Sequence, residues 1–387
     1  MDYRDQMFKH RDVAAVGLFS GIGGFELGFA RAGIKTNLLC ESWEPAVEVL
    51  RRNFGTEIVG DIRAVHSLPT CDVVTAGFPC TDLSQVGRTA GIDGVESGLI
   101  REVFRLVARS AATWVVLENV PNMLSLHGGA PIRFITQWFE EHGWNWAYRT
   151  IDSQYCGVRQ RRRRVLVVAS RTEDPRAVIF ADDAPPRPGR ESHRAYGFYW
   201  TEGNRGMGWG KGVTPTLKGG SKIGIASPPG IWLCDQQPGY AIARPSIKAG
   251  ERLQGFPAGW TSHAGTEGIR WKLVGNAVTV PVAKWLGRRL VDPGEPVDVE
   301  RRELAGSRWP PAAASIGGHK ETWCVSERPL QIASRASLAA VLDHYGALPL
   351  SLGATRGFAK RLKASSLRIR SDFVDALDTH INALERS

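Results

Sequence analysis

No stretch of the 387-residue chain is apolar for the length of a membrane span, and the opening MDYRDQMFKHRD has no signal-peptide core. A soluble, intracellular protein is therefore expected. Cysteine is scarce and scattered. The six, at positions 40, 71, 80, 156, 234 and 324, make no C-x-x-C pair and no metal-like cluster with histidine. That argues against structural zinc and against a disulfide framework, and no metal is expected. No repeat of fixed period is present. The dinucleotide pattern G-x-G-x-x-G is missing from the glycine turn after the first apolar strand, where the spacing is G-x-G-G; NAD is disfavoured.

What is present bounds the chain further. The length suits two or three domains, and a hydrophobic content of 43% is ample for a core. The formal charge of +10 points to a polyanionic partner. Charge alone does not divide DNA from RNA or membrane.

Residues 13–19 read as an apolar strand running into Ser20-Gly21-Ile22-Gly23-Gly24 and a helix stopped by Gly33. Such a turn lets backbone approach a ligand and presents free helix N–H groups. A second strand, residues 36–40, ends in Glu41, about twenty residues on, where a doubly wound nucleoside site places a carboxylate for ribose hydroxyls. Pro45 starts the next helix. A short strand, 57–59, ends in Gly60-Asp61. Asp61 is a turn aspartate or an acceptor for an adenine amino group.

The fourth strand contains Val73, Val74 and Ala76 and runs through Gly77-Phe78-Pro79 to Cys80. Chemistry collects outside the carboxyl ends of such strands. Cys80 is thus a candidate nucleophile, against the alternative of a small buried thiol. A helix over 98–111 and a strand over 113–117 lead to Glu118-Asn119-Val120 at the same sheet edge. A carboxyl there is costly unless paired or protonated. A helix over 131–142 follows. In GVRQRRRRV (157–165) alternation puts Arg162 and Arg164 on one face of a strand over 165–169.

Composition shifts after Arg171. Residues 196–230 are rich in glycine and aromatics and show no clean period. They read as a loop-rich recognition region. Gly275-Asn276 is expected to open an apolar helix. Residues 291–310 read as a linker. The tail should hold helices near 337–345, 355–364 and 371–384, the last with Ser371 as N-cap and Phe373, Leu377, Ile381 and Leu384 on one face.

Taken in order, these stretches resemble the C5-cytosine DNA methyltransferases over residues 13–290. GLFSGIGGF is similar to the family's cofactor loop, GFPCTDLS to its Pro-Cys motif, LENV to its Glu-Asn-Val motif, GVRQRRRRV to its Q-x-R-x-R motif, and ERLQGFP and GNAVTVPV to its last two motifs. The resemblance implies an α/β, Rossmann-like S-adenosylmethionine-dependent methyltransferase sheet. It also implies a small loop-rich target-recognition domain, with a helical C-terminal appendage outside the family core. The expected division is 1–170 with 271–290 as catalytic domain, 171–270 as recognition domain and 291–387 as linker and extension.

For the site, the resemblance implies Cys80, Glu118, Arg162 and Arg164 as catalytic residues. Phe19, Ser20, Gly21, Ile22, Gly23, Gly24, Glu41, Ser42, Asp61, Ile62, Asn276 and Ala277 would hold S-adenosyl-L-methionine. Pro79, Ser84, Gln85, Asn119, Gln160, Thr216 and Leu217 would meet the substrate. Three departures stand out. Ser42 occupies a place where an aromatic is common, with Trp43 one later. Arg159 replaces a usual proline, and Leu273 a common glutamine. The implied partner is double-stranded DNA, bound by a cytoplasmic, nucleoid-associated monomer of bacterial or phage type. A cognate restriction endonuclease is a possible companion, not a physically required one. A tRNA cytosine methyltransferase is the rival within the family, and an inactive DNA-binding relative the rival outside catalysis. The sizeable glycine/aromatic segment and the intact catalytic set argue against each.

Overall fold

The computed structural model describes residues 13–79, 98–186, 194–200, 206–218, 228–306, 308–330, 332 and 336–386. The five apolar segments of the N-terminal half become β1 (Ala14–Leu18), β2 (Lys35–Cys40), β3 (Ile58–Val59), β4 (Val73–Ala76) and β5 (Trp114–Asn119). They pair in parallel in the order β5-β4-β1-β2-β3. Their near-continuous apolar sequences suit strands buried on both faces. Helices α1 (Gly24–Ala30), α2 (Glu44–Asn53), α3 (Gly98–Ala108) and α4 (Ala130–Glu141) join or flank them. Pro45 lies in the first turn of α2, as expected. The strand order reverses beside β1, which opens a crevice between the ends of β1 and β4.

Two further strands continue the sheet: β6 (Asn145–Asp152) pairs antiparallel with β7 (Arg163–Ser170), and β7 pairs antiparallel with β5. The second follows the sequence expectation. The first was not expected, because Arg149 and Asp152 interrupt its apolar run, yet every residue after Asn145 is buried. The Arg149 guanidinium donates to the carbonyls of Ser326, Ile179 and Asp182, and to the Asp183 carboxylate at 2.7 Å. Burial pulls its pKa down to about 10. A charge this deep persists only because acceptors surround it.

The glycine/aromatic stretch is also more regular than its sequence suggests. It forms β8 (Ala195–Trp200) and β9 (Met207–Lys211), joined by β10 (Gly230–Leu233) and β11 (Ile242–Pro245) in a second, antiparallel sheet. Glycines erase the alternation for a packing reason. A Cβ on Gly197 would lie 2.6 Å from Thr214, and one on Gly210 would lie 2.3 Å from the Val213 carbonyl. The chain folds back across the hairpin where no side chain fits.

Helices α5 (Ile247–Leu253), α6 (Glu267–Asn276) and α7 (Val280–Val291) follow. Here one expectation is corrected: Gly275 and Asn276 close α6 rather than opening a helix. The next helix begins at Val280, with Pro281 in its first turn, where a missing N–H costs nothing.

The tail departs most from expectation. The expected linker holds β12 (Arg301–Glu303), and beyond it come β13 (Ala312–Ile316) and β14 (His319–Trp323). They extend the large sheet in the order β12-β14-β13-β6. A buried β6 has backbone groups on both edges to satisfy, and β13 covers the second. Helices α8 (Leu338–Tyr345), α9 (Leu352–Lys363) and α10 (Ser371–Glu385) match the expected three. Between α8 and α9, β15 (Ala347–Pro349) pairs with β11.

Ser371 is the first helical residue of α10 and not its cap; that position belongs to Arg370. On α10, Phe373 and Leu377 are buried as expected, joined by His380, while Ile381 and Leu384 are half-buried. Phe373 and Phe358 pack their rings on Phe198, and Phe373 also meets Trp209 and Trp232. The last two helices therefore supply the core behind the small sheet. Phe373→Ala should lower stability by about 3–5 kcal/mol, read from chemical unfolding followed by tryptophan fluorescence, because Trp209 and Trp232 line the resulting cavity.

Candidate active site

The glycine loop is built by backbone conformations that side chains resist. Gly21 and Gly23 have φ of 56° and 83°, and Phe19 itself sits at 55°. A non-glycine residue there stores strain, which is common beside functional sites. Glu41 holds the loop. One carboxylate oxygen accepts the Gly21 N–H at 2.8 Å, and the other accepts the Trp43 N–H at 2.8 Å. Burial raises the Glu41 pKa, and those N–H groups oppose the rise. Ser20, Ile22, Gly23 and Gly24 form the loop from behind. The Ile22 carbonyl accepts from Trp260 Nε1, and Gly23 is the left-handed cap of α1.

A cavity of about 640 Å³ lies along the carboxyl ends of the parallel strands. Phe19 and Gly21 form one wall. Glu41, Ser42 and Trp43 form the next, after β2, and Asp61 and Ile62 the next, after β3. Pro79, Glu118 and Asn119 stand at the ends of β4 and β5. Arg162 and Arg164 enter from β7, and Asn276 and Ala277 from the end of α6. Trp43, Leu99 and Leu273 also line it. Leu99 has no polar or glycine signal, and Leu273 stood out only as a replacement for a common glutamine, so neither was expected at the site.

Asp61 is engaged on its own segment. It caps a short 3-10 turn through the Arg63 N–H and binds the Arg63 guanidinium at 2.7 Å. Those hydrogen bonds hold its carboxyl below the usual range.

At the other end, Asn119 donates to the Phe78 carbonyl at 3.1 Å and accepts from the Val120 N–H. It ties the β5 end to the turn before Cys80. Glu118 Oε1 meets Arg164 Nε at 2.9 Å. Arg162 is wholly buried. It donates to the Gly275 carbonyl at 3.0 Å, the Ala277 carbonyl at 2.9 Å and the Leu217 carbonyl at 3.5 Å. Its Nε has no partner among the described residues. Burial, then the neighbouring Arg164, pulls its pKa well below normal.

Gln160 is also sealed from solvent. Its carbonyl oxygen accepts the Leu217 N–H at 2.8 Å, and its amide donates to the Leu253 carbonyl and to Gln254. Thr216 Oγ1 donates to the Arg161 carbonyl. Gln160, Thr216 and Leu217 therefore stand outside the cavity and fasten the segment after β9 to the arginine run. Thr216 and Leu217 line a second cleft of about 650 Å³, with Arg161, Arg164, Tyr199 and Lys218. Cys80, Ser84 and Gln85 lie outside the described residues.

A glycine turn, a carboxylate after the second strand and a switch point beside β1 define a Rossmann-like nucleoside site, and the proteins similar to this chain give its class as a methyltransferase. The fold is similar to that of the Entamoeba histolytica methyltransferase EhMeth, with a TM-score of 0.54 and 14% identity over 73% of this chain and 98% of that one. It is equally similar to that of the S. pombe Dnmt2 methyltransferase, with a TM-score of 0.54 and 14% identity over 72% and 98%. Residues 13–194 match the C-5 cytosine-specific DNA methylase model. Type II methyltransferase M2.BsuMI of Bacillus subtilis (strain 168) is 42% identical over 97% of this chain and 98% of its own length. Type II methyltransferase M.NgoBI of Neisseria gonorrhoeae is 27% identical over 69% and 89%. The chain belongs to the C-5 cytosine-specific DNA methylase family. The match to the Bacillus protein takes in most of the tail.

One buried acid escaped sequence reasoning. Glu26, on the apolar face of α1, lies against Gly17, where a Cβ would come 2.1 Å from its carboxyl oxygen. Burial pushes its pKa up to about 7, against opposing influences from its own backbone and Ser20. The folded state therefore holds this proton after the unfolded chain has released it. Stability from Glu26 is complete below pH 4.5 and is lost as pH rises towards 7. The loss should total about 3 kcal/mol. Glu26→Gln should flatten that part of the pH–stability curve; an unchanged slope would show the acid ionises freely in the fold.

Proposed function

We propose that this protein transfers a methyl group from S-adenosylmethionine to carbon 5 of a cytosine flipped out of duplex DNA, through a covalent bond from Cys80 to carbon 6. The observation that carries this reading is one cavity holding the Glu118–Arg164 ion pair at one end and the Gly21–Glu41 loop at the other. Pro79, the residue before Cys80, lines the same cavity.

The donor set fits the cofactor. Each Glu41 oxygen uses one lone pair on backbone, which leaves capacity for ribose hydroxyls. Trp43 offers an aromatic face, with Lys272 Nζ 4.6 Å from its ring centre, and takes the adenine-stacking place that Ser42 cannot. Asp61 and Ile62 would flank the adenine, and Phe19, Gly21, Asn276 and Ala277, which line the same cavity, would hold the rest. S-adenosylmethionine, when bound, supplies an electrophilic methyl on a sulfonium.

Cytosine inside a duplex is out of reach of a thiol, so the base must leave the stack. The Cys80 thiolate adds to carbon 6, while Glu118 shares a proton with ring N3 and Arg164 supports both Glu118 and the base carbonyl. The ring then carries nucleophilic density at carbon 5. Carbon 5 would take the methyl as the methyl–sulfur bond breaks, the electron pair leaving on sulfur as a neutral thioether. A base acting through water then removes the carbon 5 proton, the electron pair reforms the 5,6 double bond, and Cys80 leaves as thiolate. Arg162 and Asn119 are positioning residues. The first anchors Gly275, Ala277 and Leu217, and the second anchors the Phe78–Pro79 turn.

The second cleft, with Arg161, Lys218, Tyr199 and Thr216, suits a DNA backbone and base edges. Target reading falls to residues 171–270, with Ser84 and Gln85 beside the nucleophile. Relatives named Type II methyltransferases support a bacterial restriction–modification setting. The enzyme acts there as a monomer on nucleoid DNA and needs no physical contact with an endonuclease.

Nucleoside mass spectrometry of unmethylated plasmid, after incubation with S-adenosylmethionine, should show 5-methylcytosine with the parent protein and none with Cys80→Ala. DNA binding without product, or product on tRNA alone, would overturn the reading. Glu118→Gln should keep DNA affinity and slow transfer by about 10²–10⁴-fold, measured as single-turnover rate.

A further inference from the structure

Three hollows run side by side and share walls. The cleft of Arg161, Arg164 and Lys218 shares Pro121 and Arg163 with a second hollow of about 700 Å³. That hollow shares Leu304, Arg308 and Trp309 with a third, of about 350 Å³, which adds Arg133 and Lys320. The shared residues make one continuous surface. It starts at the proposed DNA cleft and ends on the tail, beyond the stretch 13–194 that matches the family model.

The tail loop that carries Arg308 is firmly seated. Trp309 packs on Trp146 and Tyr148 and fills the space where Gly129 has no Cβ. The Pro310 carbonyl accepts from Tyr148 at 2.9 Å, and the Pro311 carbonyl from the Thr150 N–H at 2.8 Å. Arg308 itself is exposed, and among the described residues no hydrogen bond or ion pair holds its guanidinium. Its neighbours differ. Arg163 is paired with Glu327, and Lys320 with Glu140 at 2.9 Å. Glu303 is the remaining carboxylate along the second hollow. A cation with no partner among the described residues, carried by a seated loop on a concave surface that continues the DNA cleft, is what a phosphate backbone would meet next.

We propose that the tail loop at Arg308 and Trp309 binds the backbone of duplex DNA flanking the target base, with Arg308 contacting a phosphate. This rests on the DNA reading above. The contact carries no base information. It lengthens the footprint and adds salt-sensitive affinity.

The test compares duplexes of about one and about three helical turns (~10 and ~30 base pairs), centred on the target read from methylated plasmid. Affinity is measured against salt concentration for the parent, Arg308→Ala and Arg308→Lys. On the long duplex, Arg308→Ala should reduce the slope of log affinity against log salt by about 1, and Arg308→Lys should restore it. On the short duplex the slope and the methylation rate should not change. An unchanged slope on the long duplex, or an equal drop on both lengths, overturns the flanking contact while leaving methylation intact. A parent protein that neither binds nor methylates either duplex removes the DNA reading itself, and this contact with it.

Discussion

A guanidinium taken out of water must find its acceptors in the protein, and Arg162 finds them where three parts of the chain meet. Two are carbonyls at the end of α6, and the third belongs to Leu217 in the segment after β9. The cost of stranding that charge is what holds these parts in register. Gln160 works beside it by the same logic, joining Leu217 to Leu253 and Gln254. The arginine run therefore acts chiefly as a clamp. Only Arg164 of the expected pair spends its charge on the Glu118 carboxylate.

The same accounting of buried polar groups explains the tail. Arg149 on β6 is satisfied by residues near 179–183 and by Ser326, so the end of the chain is stitched into the catalytic sheet. Further on, Phe358 and Phe373 complete the core of the small sheet, and β15 adds a strand to it. A segment that reads as linker and helices thus supports both halves of the molecule. The surface it adds beside the cleft follows from that seating.

Much of the catalytic framework was legible because it is local. Parallel strands buried on both faces read as unbroken apolar runs, and the turns that follow them carry their chemistry within a few residues. Gly21, Glu41, Asp61, Pro79 and Glu118 were placed at strand ends on that basis, and all line one cavity. Three kinds of feature were not legible. β6 hides behind Arg149 and Asp152. β8 and β9 hide behind glycines that the chain folding back at Val213 and Thr214 requires. Glu26 hides on a helix face whose other members are apolar. In each case the deciding partner lies outside the element's own period: residues 179–183 and Ser326 for Arg149, the fold-back at 213–214 for the glycines, and Gly17 and Ser20 for Glu26.

The sequence by itself determined the order of the parallel strands' motifs, the glycine loop and the identity of the groups at the strand ends. Those follow from short-range pattern and from the chemistry of each residue type. Tertiary structure alone decided which polar groups face the cavity and which are clamps. Glu41 and Glu118 look alike in sequence, yet one holds a loop by two backbone N–H groups and the other faces an arginine. Gln160 looked like a substrate contact and is sealed inside. The physical reason is that exposure and pairing of a polar group depend on what distant chain packs over it, and desolvation decides between those fates.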